Sequence, residues 1–130
     1  MVKPTLLLLA ATLALPASAQ AACDSTDIGG NWALYATMDG SEFWTFCRLN
    51  LNSTGRLSGG KSNCKTVGQP RSDIFAAEFA VSNRCRVTGY FGVSGDRQDL
   101  NHAWMSKNGQ MFSGVGHNST TNFAFTAIRK

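Results

Sequence analysis

The sequence predicts an all-β protein: an antiparallel up-and-down β-barrel of about eight strands, stapled by disulfides. Three observations point to it. Apolar and polar residues alternate at period two along most of the chain. Turn residues recur between those runs at short intervals. Four cysteines, Cys23, Cys47, Cys64 and Cys85, stand in a chain of 130 residues whose first stretch reads as an export signal. Closing such a meander into a barrel removes both exposed edges, and an open sandwich is the alternative.

The elements follow in order. Lys3, the apolar run 6–15, Pro16 and Ala17-Ser18-Ala19 form the pattern of a secretory signal peptide over residues 1–19, with a cut after Ala21 as the alternative. The run falls short of the roughly 20 apolar residues of a membrane span, and no other run comes near that length. No membrane span is expected, and residues 20–130 form one domain in the periplasm or outside the cell. Residues 32–38 read as the first strand, and Asp39-Gly40 is a hairpin signal. In the second, 43–51, Phe43, Thr45, Cys47, Leu49 and Leu51 share one face; Trp44, Phe46, Arg48 and Asn50 share the other. Residues 52–55 turn the chain into a third strand at 56–61, and 65–73 reads as a surface loop. Residues 74–81 read as a strand or one helical turn. Strands follow at 84–93, 99–106, 111–117 and 122–128, with turns at 94–97 and 107–110. Leu57-Ser58-Gly59, Val87-Thr88-Gly89 and Phe112-Ser113-Gly114 repeat one pattern, as in barrel strands that bend at glycine.

Composition excludes some partners. Lys+Arg number 12 against Asp+Glu 8, with no basic cluster, so nucleic acid is not expected. An even cysteine count in a small exported chain implies two disulfides with three possible pairings. Cys47–Cys64, closing a short loop, is the favoured pair and leaves Cys23–Cys85. Acylation of Cys23 as a lipoprotein is the rival, but Gln20 stands where such sites usually carry Leu.

Gly30-Asn31-Trp32 resembles the G-x-W opening of calycin-type barrels. The order Leu-Ser-Gly, Val-Thr-Gly-Tyr, His-Ala-Trp, Phe-Ser-Gly-Val and Phe-Ala-Phe-Thr-Ala-Ile resembles the strand order of avidin and streptavidin, over about residues 29–130. Avidins line their biotin site with several late tryptophans. This chain has only Trp104 there, so biotin is not expected. Gly30-Asn31-Trp32-Ala33-Leu34, then Cys47-Arg48-Leu49-Asn50-Leu51, then Cys64, also resembles the small exported bacterial inhibitors of serralysin-type metalloproteases. That resemblance implies an N-terminal arm that enters a protease cleft. It departs at Cys23 and Cys85, which are extra, and in the second half of the chain.

Catalytic groups are few. With a two-residue turn at Asn108-Gly109, His117 lies opposite Leu100 and diagonal to His102. Two imidazoles without a third ligand make no metal site. No serine has a nucleophile elbow or base around it. No enzyme activity, cofactor or metal is expected. Asn52-Ser53-Thr54 and Asn118-Ser119-Thr120 read as turns.

The expectation is therefore an exported, non-enzymatic binding protein, most simply a protease inhibitor. Its contacts would be Ala22, Asp24, Ser25 and Thr26 in an extended N-terminal segment, and Trp44, Phe46 and Arg48 on one strand face. The alternative is a carrier of a small apolar ligand in the barrel mouth. Bulky Trp32, Leu34, Leu49, Leu51, Phe123 and Phe125 favour a filled interior and thus the inhibitor. Mass analysis of the exported, unreduced protein is expected to show a start after Ala19 or Ala21 and no free thiol. A diacylglycerol on Cys23 would overturn both the cleavage site and the cysteine count.

Overall fold

The computed structural model describes residues 23–39, 42 and 44–130. The signal segment 1–19, Ala22 and Phe43 lie outside the described residues. A 3-10 turn, Ser25–Ile28, leads into β1 (Gly30–Met38), β2 (Trp44–Leu51), β3 (Asn63–Thr66) and β4 (Ser72–Val81). Then come β5 (Arg86–Val93), β6 (Asp96–Met105), β7 (Met111–His117) and β8 (Asn122–Arg129). Each strand pairs antiparallel with the next, and β8 returns to β1, closing an eight-stranded barrel. No described helix is long and apolar enough to cross a membrane. Both disulfides form, Cys23–Cys85 and Cys47–Cys64. The latter links directly paired residues of β2 and β3.

Three expectations are corrected, and one alternative left open, at 74–81, is decided. The third strand is not 56–61 but Asn63–Thr66; Arg56 and Leu57 make only isolated bridges. Gly59, Gly60 and Lys61 offer no apolar face to bury, whereas Cys64 is pinned opposite Cys47. The loop expected at 65–73 shrinks to 67–71, because β3 and β4 take its ends. Residues 74–81 are strand rather than helical turn, and Ile74, Ala77, Phe79 and Val81 are buried. The turn at 94–97 tightens to Ser94-Gly95, both at positive φ (54° and 74°), as a two-residue hairpin of twisted strands requires.

One end of the barrel, the base, is packed. Side chains alternate in and out, so Trp32 and Leu34 of β1 meet Leu49 of β2, Phe112 of β7 and Phe125 of β8 inside. Trp32 and Phe112 pack edge to face at 4.8 Å, and Phe112 and Phe125 at 5.8 Å. Ile28 plugs the base, and its carbonyl accepts from Trp32 Nε1 at 2.8 Å. Gly89 permits the close approach of β4 to β5: its φ is +129°, and a Cβ there would lie 1.9 Å from the Glu78 carbonyl oxygen.

Trp32→Ala is expected to destabilise by about 3–5 kcal/mol, as for a fully buried aromatic. Trp32→Phe keeps most of the packing but leaves the Ile28 carbonyl unpaired, at about 1–3 kcal/mol. Urea unfolding of both variants checks this. A loss under about 1 kcal/mol for Trp32→Ala would contradict the plug.

Candidate functional site

The opposite end, which the β3–β4, β5–β6 and β7–β8 connections border, is a mouth that the described residues leave unfilled. Register explains the difference. At the base Trp32 pairs with Leu49; nearer the mouth Ala36 pairs with Thr45. Large residues facing each other fill the barrel, and small ones leave space. A cavity of about 350 Å³ results, walled by Leu34, Ala36, Met38, Phe91, Val93 and Phe123. The Cys47–Cys64 disulfide forms part of its wall. The interior is thus half filled, against the expectation of a filled barrel.

Polar groups gather among these walls. Thr45 and Thr66 share a hydroxyl–hydroxyl bond of 2.9 Å. Ser94 Oγ donates to Ser72 Oγ at 3.0 Å. Gln98 Oε1 accepts from Asn118 Nδ2 at 3.0 Å, and Asp96 Oδ2 accepts from Ser119 Oγ at 2.7 Å. Such a mixture, apolar walls with few polar groups, suits a small ligand held in one orientation.

The N-terminal segment lies at the other end. Asp24, Ser25 and Thr26 are exposed, but they are not extended. Thr26 N donates to Asp24 Oδ1 (2.9 Å) and Asp24 N to Asp27 Oδ2 (2.8 Å), a reciprocal cap that curls the segment into its 3-10 turn. Cys23–Cys85 ties the root of this turn to the β4–β5 connection. A short polar segment with Asp at its start satisfies its own amides locally, which the extended reading did not anticipate.

Trp44, Phe46 and Arg48 stand on the outer wall of β2, as alternation predicts. Phe46 packs on Tyr35 of β1 at 5.0 Å, and the Arg48 guanidinium lies 5.9 Å from the Phe46 ring. Trp44 and Tyr35 keep about half their surface exposed (49% and 50%). No hydrogen bond, ion pair or ring contact among the described residues joins these groups to the N-terminal turn.

His117 pairs with Asp99 rather than Leu100, because a bulge between Leu100 and His102 shifts the register. Its Nδ1 meets Asn101 Oδ1 at 2.8 Å. No group of three His, Cys, Asp or Glu residues is placed to hold a metal among the described residues. The mouth residues Gln98, Thr45, Thr66 and Ser72 were not singled out by sequence. Gln98 sat between an expected turn and an expected strand, where its direction was unreadable. No family model, curated protein or solved structure matches the chain.

The Asp24 carboxyl is held below its ordinary value of 3.8, first by the Thr26 amide and then by the Thr26 hydroxyl. A lowered folded-state value means that the cap is intact above the ordinary range and is lost as pH falls through the folded value. NMR titration is expected to show the Thr26 amide shift moving with a midpoint below 3.8. A midpoint at or above that value would contradict the cap.

Proposed function

We propose that the protein is an exported carrier that binds a small, largely apolar molecule in the barrel mouth. The carrying observation is the contrast along one axis: an aromatic-packed base and, past the Ala36–Thr45 pair, an apolar-walled space of about 350 Å³. Pockets for small molecules begin at roughly 300 Å³. An eight-stranded barrel has room for one such ligand when its side chains do not fill it. Hydroxyls, amides and one carboxylate beside the cavity suit orientation of a ligand.

Protease inhibition keeps a second place, on the half-exposed Trp44 and Tyr35 beside Phe46 and Arg48. Large aromatics with an arginine are what protein interfaces favour. An arm reaching into a cleft would have to come from residues before Cys23, since Ser25–Ile28 is coiled and anchored.

The test is titration with the neutral fluorescent probe N-phenyl-1-naphthylamine. The protein is expected to bind it, and Ala36→Phe, which fills the mouth, to weaken binding at least about tenfold, or 1.4 kcal/mol. Melting temperature should hold or rise. Probe binding that Ala36→Phe leaves unchanged would sink the mouth as the site. Inhibition of a secreted metalloprotease that Trp44→Ala abolishes and Ala36→Phe spares would favour the second reading.

A further inference from the structure

Resting on the mouth as the binding site, we infer that it selects ligands whose polar atom is a neutral hydrogen-bond acceptor, such as a carbonyl oxygen, and turns carboxylates away. The β7–β8 turn sets the geometry. Asn118 Oδ1 accepts from the backbone amides of Thr120 and Thr121, each at 2.9 Å, and from the Thr120 hydroxyl at 3.0 Å. Backbone N–H groups can only donate, so they decide which way this side-chain amide faces. Asn118 Nδ2 is thereby turned toward Gln98, whose Oε1 it reaches at 3.0 Å.

That bond settles the orientation of Gln98 in turn. Its oxygen faces Asn118, and its Nε2 faces away. Gln98 is only 8% exposed, and it lines the mouth. Nε2 bonds to no described residue, and among the described residues no wholly buried side-chain polar atom lacks a partner, so this donor opens onto the cavity its residue lines. A nearly buried donor without a protein partner favours a ligand that supplies an acceptor and penalises one that does not.

Charge adds the second half of the selection. Asp96, two residues before Gln98 on β6, lines the same mouth, and among the described lining residues no other carries a charge. Its Oδ1 accepts from the Arg97 amide at 2.9 Å, beside the Ser119 contact on Oδ2. None of Lys65, Arg71 and Arg97 lines the cavity. Lys65 reaches the Gln69 carbonyl, Arg71 bonds Asn63 at 2.7 Å, and Arg97 pairs with Asp99 at 2.8 Å over the Tyr90 ring. A ligand carboxylate would enter beside Asp96, with no cation among the described lining residues to offset it.

The probes are octan-2-one, octanoate and octylammonium, titrated calorimetrically into the oxidised protein at neutral pH. Octan-2-one is expected to bind at least about tenfold more tightly than octanoate. Gln98→Leu should remove that preference by weakening the ketone, and Asp96→Asn should admit octanoate. Asn118→Asp is the sharper variant. One carboxylate oxygen still holds the turn amides, while the other, now an acceptor, swings the Gln98 amide round so that Oε1 faces the cavity. Ketone affinity should fall and octylammonium affinity rise; a merely structural lesion would lower both. Equal binding of ketone and carboxylate to the wild type overturns the inference and leaves the mouth as the site. So does ketone affinity that survives both Gln98→Leu and Asn118→Asp. If no probe binds at millimolar concentration, the carrier reading falls with it.

Discussion

Arg129 holds the base of the barrel, and the rest of the structure depends on it. Its Nε donates to the Gly109 carbonyl at 3.0 Å, its Nη1 to the Gly29 carbonyl at 2.6 Å, and its Nη2 to the Asp27 carbonyl. One planar fork thus gathers the end of β8, the N-terminal turn, the entry to β1 and the β6–β7 turn. The guanidinium also lies 4.3 Å from the Trp32 ring, over the indole that plugs the core. First and last strands must meet for a barrel to close, and here the meeting point is locked by a residue with five donors and no need of a carboxylate. Gly30 belongs to the same device: a Cβ at that position would lie 2.4 Å from Arg129 Nη1.

The disulfides divide the remaining work. Cys23–Cys85 spans 62 residues and binds the N-terminal turn to the base, while Cys47–Cys64 spans 17 and binds β3 to β2. In the chain-entropy account such loops contribute about 4 and 3 kcal/mol. The second matters more for the mouth. Strand β3 has four residues and meets β4 through two pairs, Asn63–Asp73 and Cys64–Ser72. This is the thinnest seam in the barrel, and it walls the cavity. A covalent bond from β2 holds that wall where few ladder hydrogen bonds are available. With the base packed and the seam stapled, no described side chain plugs the mouth.

The sequence made the barrel legible because period two survives in most strands. The faces of β2 could be read directly, and of the three cysteine pairings the sequence left possible the favoured one forms. Three bulges could not. The irregularities at Ile74/Ala76, Val87/Gly89 and Leu100/His102 each add a residue and invert parity beyond them. One of them moved His117 from Leu100 to Asp99. The open mouth was hidden for another reason. Counting bulky residues says how much volume the core has, not where along the axis it sits. Only the register, which sets Trp32 against Leu49 and Ala36 against Thr45, places the bulk at one end. The N-terminal segment was misread because Asp24 satisfies nearby amides that an extended strand would have left for a partner.

The two Asn-Ser-Thr triplets show how one local motif acquires different consequences. Asn52 Oδ1 takes the Thr54 amide at 3.0 Å, the Thr54 hydroxyl at 2.7 Å and the Arg56 amide at 3.1 Å, as Asn118 does for its own turn. Each is a self-closed turn, and the sequence reads them alike. Asn52 stands at the base, where its turn steers the chain between β2 and β3; the hollow beside Thr54 and Arg56 lies on the outer wall against Glu78 and Tyr90, outside the barrel mouth. Asn118 stands at the mouth, where its spare amide hydrogens meet a nearly buried glutamine. The turn orients the asparagine in both cases; only the barrel decides whether that orientation reaches a place a ligand could occupy. A site of this kind comes from ordinary turn chemistry at the open end of a closed sheet, so it leaves no motif to find.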